Sequence, residues 1–212
     1  MTLDQLEARL REALAGELPG LDAQLELAPR PRGNWPDGLS AESARPPAAL
    51  VVLYTIAGDV ALPLTVRAST LPHHPGQVSL PGGRIDEAES VEQAALREAA
   101  EEIGLRPADV RVLGQLTPLH IPVSGFHLHP VVAVADERPS FTPDPGEVDR
   151  ILEVPLAELQ DPSRVQLAVR LRDNLPVEYA YFDLFGYHVW GATAMVLAEL
   201  LSVIGSRPVR PR

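Results

Sequence analysis

Apolar residues recur along the chain with two different periods, and each change of period marks an element. Leu3, Leu6, Leu10 and Leu14 fall on one face of a helix, with Thr2 and Gln5 placed as a capping box at its start. This first helix is expected to lie on the core. Between Pro19 and Pro47 the periodicity is lost in a stretch rich in Pro, Gly and Arg, with Trp35 in its middle. It reads as a long irregular segment, functional or mobile. Residues 49–56 and 60–66 read as strands around a turn at Gly58-Asp59, a hairpin. A loop with His73 and His74 leads to Pro81-Gly82-Gly83, and a helix is predicted over 91–103. Beyond it, 110–116, 126–134 and 150–154 read as strands and 155–159 as a short helical turn. Residues 165–171 and 177–184 form a second hairpin pattern, and 191–204 the last helix. Strands mixed with helices, without regular alternation, predict an α/β or α+β sandwich and argue against a Rossmann-type sheet. One domain is expected over residues 1–212, with a helical and Pro-rich extension at about 1–48 and a C-terminal helix at about 191–204.

Composition narrows the function classes. Apolar residues make up 45% and charged residues 22%, an ordinary globular balance, and the formal net charge is −11. Nothing resembles the basic footprint of a nucleic-acid-binding protein. An acidic protein that handles an anionic substrate needs local help from clustered Arg and His or from a metal cation. The absence of cysteine excludes disulfides, thiolate zinc sites and cysteine nucleophiles, and fits an intracellular home. The N-terminus carries acidic residues and no unbroken apolar core, so it does not read as a signal peptide. The longest apolar stretch, 190–204, is interrupted by Glu199 and is short for a bilayer span, so a buried helix is expected. The expectation is a cytoplasmic protein with neither a nucleic-acid nor a membrane partner.

The helix over 91–103 is signalled at both ends. Ser90 and Gln93 stand as a capping box, and Gly104 stands where a left-handed residue would end it. Within it Glu98, Glu101 and Glu102 occupy i, i+3 and i+4, one face, while Leu96, Ala99, Ala100 and Ile103 should pack on the sheet, the alanines allowing a close approach. Like charges at this spacing repel. One reading is a solvated acidic face, partly neutralised by Arg97; the other is a set of carboxylates for a hard divalent cation, since magnesium takes oxygen ligands and uses one or two carboxylates plus substrate phosphates.

The wider spacing decides between them. From Gly83 the chain gives five residues, Glu89, seven residues, then Arg97-Glu98-Ala99-Ala100-Glu101-Glu102-Ile103-Gly104. This resembles the signature of the Nudix hydrolases at Gly83, Glu89, Arg97, Glu98, Glu101, Glu102 and Gly104. At roughly one in twenty per position, chance agreement anywhere in the chain is on the order of one in several million. Ala99 stands where the family usually has a larger aliphatic residue, a matter of packing. The resemblance implies an α/β/α sandwich with a central mixed sheet, a requirement for Mg²⁺ or Mn²⁺, and hydrolysis of a nucleoside diphosphate linked to another moiety. It implies Glu98 and Glu102 as principal metal ligands, Glu101 as a further ligand or orienting group, Arg97 as the residue that positions a helix carboxylate, and Glu89 as support for the loop. Gly82 and Gly83 would let the backbone bend and approach the metal or diphosphate.

Upstream, Leu64-Thr65-Val66-Arg67-Ala68 and Gly76-Gln77-Val78-Ser79-Leu80-Pro81-Gly82-Gly83 resemble the second signature of the coenzyme A pyrophosphatase branch. Pro72 replaces its usual arginine and Leu80 its usual phenylalanine. Pro143-Asp144-Pro145-Gly146-Glu147-Val148 and Val189-Trp190-Gly191-Ala192-Thr193-Ala194 are similar to the same branch more loosely. The implied substrate is coenzyme A, with Arg67, His74, Gln77, Gly82 and Gly83 as candidate binding residues. His73, Arg84 and the Arg30–Arg32 segment near Trp35 are further candidate anion contacts. Water would attack one phosphorus and release 3′,5′-ADP and 4′-phosphopantetheine. The candidate catalytic set is Glu98, Glu101, Arg97 and Glu147, with the general base open between Glu98 and Glu147. Alternatives are ADP-ribose, NADH or a dinucleotide as substrate, or a non-catalytic nucleotide-sensing module.

Overall fold

The computed structural model describes residues 1–32, 46–72, 74–122 and 125–211. In chain order the first elements are α1 (Leu3–Leu14), α2 (Gly20–Gln24), β1 (Pro47–Ile56), β2 (Asp59–Arg67), β3 (Val78–Ser79), β4 (Gly82–Arg84) and α3 (Val91–Ile103). Next come β5 (Arg111–Gln115), β6 (Leu119–Ile121), β7 (Phe126–Val134), β8 (Val148–Pro155) and α4 (Leu156–Gln160). The chain ends with β9 (Val165–Arg172), β10 (Leu175–Leu184), β11 (Tyr187–Trp190) and α5 (Ala192–Val203). The first eight strands make one mixed sheet and the last three a separate antiparallel sheet. This is the expected sandwich with a central mixed sheet. The expected second hairpin, β9 and β10, belongs to its own sheet, completed by β11.

β1 is the axis of the large sheet. It runs parallel to β7 over Ala48–Leu53, and its alternate side chains feed two cores. Ala49, Val51 and Leu53 join Leu6 and Leu10 of α1 and the apolar length of α5. Ala48, Leu50, Val52 and Tyr54 meet Ala94, Ala95, Ala99 and Ile103 of α3. A strand buried on both faces needs an unbroken apolar run, which is what residues 48–54 supply. The helix register differs slightly from expectation: Ala94 and Ala95 are fully buried, whereas Leu96 and Ala100 are only half-buried.

The other edge of β1 is shared between two partners. β2 pairs with it only at the hairpin end, Tyr54–Ile56 against Asp59–Ala61. Past Ala61 the two strands part, in the stretch where Pro63 has no amide hydrogen to give. Into the opening runs the segment 78–84. Its first half pairs with β2 (Thr65 opposite Ser79), its second half with β1 (Ala48 opposite Gly83), and Leu50 donates to the Pro81 carbonyl at 2.8 Å between them. The sequence marks this segment only as a loop reaching a turn, because runs of two and three strand residues carry no readable period.

The stretch 19–47 is not irregular throughout. α2 and a tight turn over Leu25–Leu27 occupy its first part, held by a distant residue. Glu199 of α5 has 0% exposure. Its carboxylate accepts from Gly20 N and Thr117 N, each at 3.2 Å, and from Gln24 Nε2 at 2.8 Å. Trp35 lies outside the described residues. Among the described residues no helix is long and apolar enough to cross a membrane.

Glu199→Ala would take an acceptor from the Gly20 and Thr117 amides and from Gln24 Nε2, and we expect an unfolding free energy lower by about 3 kcal/mol. The check is a shifted urea midpoint at unchanged slope. A second expectation concerns pH. Buried Tyr54 donates its hydroxyl to Glu153 Oε2 at 2.8 Å, and Arg138 pairs with the same carboxylate and holds it below the ordinary glutamate range. That contribution is fully present above the unfolded value near 4.3 and is lost as pH falls through the depressed folded one. Stability should therefore drop on acidification below about pH 4.3, and less steeply in Arg138→Met; identical acid profiles for the two proteins would contradict it.

Candidate active site

α3 begins where the sequence says: the Ser90 hydroxyl accepts from Gln93 N, and the Gln93 side chain accepts from Ser90 N. It ends at Gly104, whose φ of 67° is left-handed. The preceding glycines are required for two different reasons. A Cβ on Gly82 would lie 2.3 Å from the Ala48 carbonyl oxygen, so the backbones of β4 and β1 leave no room for one. A Cβ on Gly83 would lie 2.3 Å from Glu98 Oε2; that space is taken by the Glu98 carboxylate itself.

The three carboxylates share one side of the helix but differ in burial. Glu102 is 5% exposed and accepts from Gly82 N at 3.2 Å. Burial pushes its carboxyl up to about 7; the Gly82 hydrogen bond opposes this, and the charges of Glu147 and Glu98 add to it. Glu98, half-buried, is also raised by burial, against the pull of Arg97. Glu101 points outward, its side chain 60% exposed. Helical spacing cannot separate these three fates, because they depend on what the helix packs against.

Arg97 uses every N–H it has, three to tie the helix to its loop and two within the helix. Nε and Nη2 take the two oxygens of Glu89 at 2.8 and 3.1 Å, and Nη2 also donates to the Arg84 carbonyl at 2.9 Å. Nη1 donates to Glu98 Oε1 and Glu101 Oε2, both at 3.0 Å. A planar fork with five donors does this; a lysine could not.

Glu147 comes from the segment before β8, which is docked on the end of α3. Thr142 N donates to the Ile103 carbonyl at 2.8 Å, Asp144 N to that of Glu102 at 2.9 Å, and Ala68 N to that of Glu147 at 2.8 Å. Its exposed carboxylate lies close enough for Glu98 and Glu102 to feel its charge. Among the described residues no three His, Asp or Glu side chains converge as a ready cage. Arg97 accounts for part of that, holding one oxygen of Glu98 and one of Glu101 in ion pairs. A pair of carboxylates is nevertheless a sufficient protein contribution for a hard cation that also binds substrate phosphate.

Beside Gly82 and Gly83 opens a cavity of about 520 Å³. Arg67, His74 and Gln77 line it together with the two glycines, so all five candidate binding residues meet in one place. The loop carrying them closes on itself: Arg67 N donates to the Gln77 carbonyl at 2.9 Å and Gly76 N to that of Arg67 at 3.0 Å. Pro72 is exposed and off the cavity wall, as is Arg84, which lends only its carbonyl to Arg97. Arg30 likewise is not on the wall, and His73 lies outside the described residues. Arg32 does reach the cavity.

Sequence reasoning missed most of the far wall. Arg170 and Arg172 of β9, Trp190 of β11, His120 of β6 and Phe126 of β7 all line the cavity. The alternation of Arg170 and Arg172 on one strand face was the available signal, indistinguishable from a solvated edge without the fold. The described lining holds four arginines and no Asp or Glu. None of the four forms an ion pair among the described residues. Arg67 Nε is buried without a hydrogen-bond partner.

A mixed-sheet sandwich whose loop–helix–loop sets carboxylates beside an arginine-lined cavity defines a class of phosphate-handling domain. The NUDIX domain model matches residues 44–175, and the chain belongs to the Nudix hydrolase family. It is 38% identical over 164 residues to the "Uncharacterized Nudix hydrolase NudL" of Cronobacter sakazakii, covering 76% of this chain and 84% of that protein. It is 37% identical over 148 residues to the protein of the same description from Citrobacter koseri, covering 68% and 76%. Among solved structures, the Nudix hydrolase RenU of M. smegmatis shares the fold, with a TM-score of 0.53 and 21% identity over 78% of this chain and 89% of that one.

The two glycines should separate stability from activity. Gly82→Ala drives a Cβ into backbone and should lower the unfolding free energy by about 2 kcal/mol or more. Gly83→Ala meets a side chain that can swing aside, so its cost should stay under about 1 kcal/mol while diphosphate hydrolysis falls at least about tenfold as Glu98 is displaced. Thermal melts alongside initial rates read both, and a fully active Gly83→Ala would refute the assignment.

Proposed function

We propose that this chain hydrolyses the diphosphate bond of coenzyme A or a derivative, releasing 3′,5′-ADP and 4′-phosphopantetheine. The observation that carries the reading is the cavity. Arg67, His74 and Gln77 line it together with Gly82 and Gly83, and four arginines without ion pairs among the described residues face it. A protein of net charge −11 that gathers unpaired arginines around one pocket has built a place for a polyanion. The volume falls in the range of cofactor-sized sites.

In this reading Arg67 and the backbone at Gly82 and Gly83 hold the diphosphate, with His74 and Gln77 at its flank. Glu98 and Glu102, with Glu101 as a further ligand or orienting group, would hold Mg²⁺ or Mn²⁺, a donor set of hard oxygens that suits either ion. Such an ion, when bound, supplies charge neutralisation on the diphosphate and acidifies a water. Arg97 keeps Glu98 and Glu101 in place, and Glu89 anchors Arg97. The proton of the attacking water goes to Glu98 or to Glu147. A cysteine-free chain acting on such a metabolite fits the cytoplasm.

The test is incubation of the purified protein with coenzyme A, ADP-ribose, NADH and a dinucleoside polyphosphate in Mg²⁺ or Mn²⁺, with identification of products. Coenzyme A should be cleaved most efficiently; preference for another member moves the substrate, and no turnover of any favours a sensing module. Glu98→Gln and Glu102→Gln should each lower kcat roughly 10²- to 10⁴-fold with the fold intact. Near-normal turnover in both would end the assignment.

A further inference from the structure

The three-stranded sheet turns one face to the cavity. β9 and β10 are antiparallel, with Arg170 opposite Val177 and Arg172 opposite Leu175. Successive strand side chains alternate, so Arg170 and Arg172 leave β9 on the same side, and both line the cavity. Next to them is Trp190, paired across β11 and β10 with Tyr181. The Arg170 guanidinium carbon stands 4.3 Å from the Trp190 ring centroid, and the Tyr179 ring braces the indole at 5.0 Å.

The N-terminal segment completes this wall. Arg30 exchanges both backbone hydrogen bonds with Glu178 of β10, at 2.7 and 2.9 Å, continuing the edge that β11 leaves open. That bridge carries Arg32 to the cavity, where its Nη2 donates to the His120 carbonyl at 2.8 Å. Arg172 Nη2 reaches the Pro31 carbonyl at 3.4 Å. Carbonyl partners fix the direction of a guanidinium without cancelling its charge. Arg32 is half-buried, and its affinity for the proton is lowered by burial with no carboxylate restoring it. The chain has 29 acidic residues to offer as partners, yet none pairs with these three arginines among the described residues.

Arg170, Arg172 and Trp190 belong to a different sheet from the glycines, and with Arg32 they lie outside the signature at 65–105. A diphosphate held at Arg67, Gly82 and Gly83 leaves their charge unused. We propose that Arg32, Arg170 and Arg172, with Trp190, form a second anion subsite that takes a phosphomonoester on the nucleoside end of the ligand. On the coenzyme A reading, on which this rests, that group is the ribose 3′-phosphate, and the adenine lies against the Trp190–Arg170 stack. A phosphomonoester carries close to two charges at neutral pH and accepts forked hydrogen bonds from arginine. Aromatic and guanidinium faces stack on any base. Phe126 and Leu128 line the same cavity and add apolar surface to it.

Dephospho-coenzyme A tests the subsite, since it has the same diphosphate and lacks only the 3′-phosphate. With the full chain in Mg²⁺, the wild type should show kcat/KM for coenzyme A about ten- to a hundredfold above that for dephospho-coenzyme A, the span expected for charge-assisted hydrogen bonds. In Arg170→Gln/Arg172→Gln the ratio should collapse towards one, chiefly through KM. Arg32→Gln, a separate variant whose melting is followed in parallel, should lower the ratio in the same direction. A wild type indifferent to the 3′-phosphate, or variants that keep the wild-type ratio, overturns the subsite while leaving the coenzyme A reading in place. A wild type that cleaves neither compound overturns that reading instead, and calorimetry then judges the subsite alone. Tighter binding of 3′,5′-ADP than of 5′-AMP, lost in the double variant, sustains it; equal binding of the two sinks it.

Discussion

The close packing of Gly82 against the backbone of β1 positions what surrounds it. β1 and β2 leave their hairpin together and then diverge, and the segment 78–84 fills the gap by pairing with one strand and then the other. Such an insertion works only if the entering backbone comes nearer to Ala48 than any side chain would permit. Once it is seated, Gly82 N points at Glu102, and the missing side chain of Gly83 makes room for Glu98. Two carboxylates of one helix are thereby held against Gly82 and Gly83, the two glycines that line the cavity. Bringing acids so near a core is costly, and the raised proton affinity of Glu102 expresses that cost.

Charge is distributed on the same principle. All 18 basic residues are arginines, and their surroundings divide them into contrasting groups. Arg97 is saturated: Glu89, Glu98, Glu101 and a carbonyl use all of its donors, which suits a residue that fixes geometry. Arg32, Arg67, Arg170 and Arg172 face the cavity without a carboxylate partner among the described residues. An arginine needed only for stability would gain from the many acids available in this chain. Gathered around one cavity, these four keep their charge available to something that arrives from outside.

The sequence exposed what is local and concealed what is long-range. Both caps of α3 were readable because a capping box and a left-handed glycine act within four residues of the helix end. The strand at 49–56 was readable because a strand buried on both faces needs an unbroken apolar run. The candidate ligands Glu98 and Glu102 were readable from fixed spacing, but their unequal burial was not, since it follows from Gly82 and Gly83 lying beneath them. β3 and β4 escaped notice as strands because they are too short to show a period. Arg170 and Arg172 escaped because a strand face turned to a cavity has the same alternation as one turned to water.

Glu199 joins these separate pieces. Its buried carboxylate holds Gly20 and Gln24, which begin the segment leading to Arg32, and also the amide of Thr117, which leads into β6. His120 of β6 supplies the carbonyl that receives Arg32. One buried acid thus locates both the arm that carries an arginine into the cavity and the strand against which that arginine is set. A carboxylate without exposure, inside a helix that is otherwise largely apolar, costs more to bury than a leucine would. Its placement is understandable if what it stabilises is the relation between two cavity walls: an aliphatic side chain could fill the space but could not bond three amides from two segments at once.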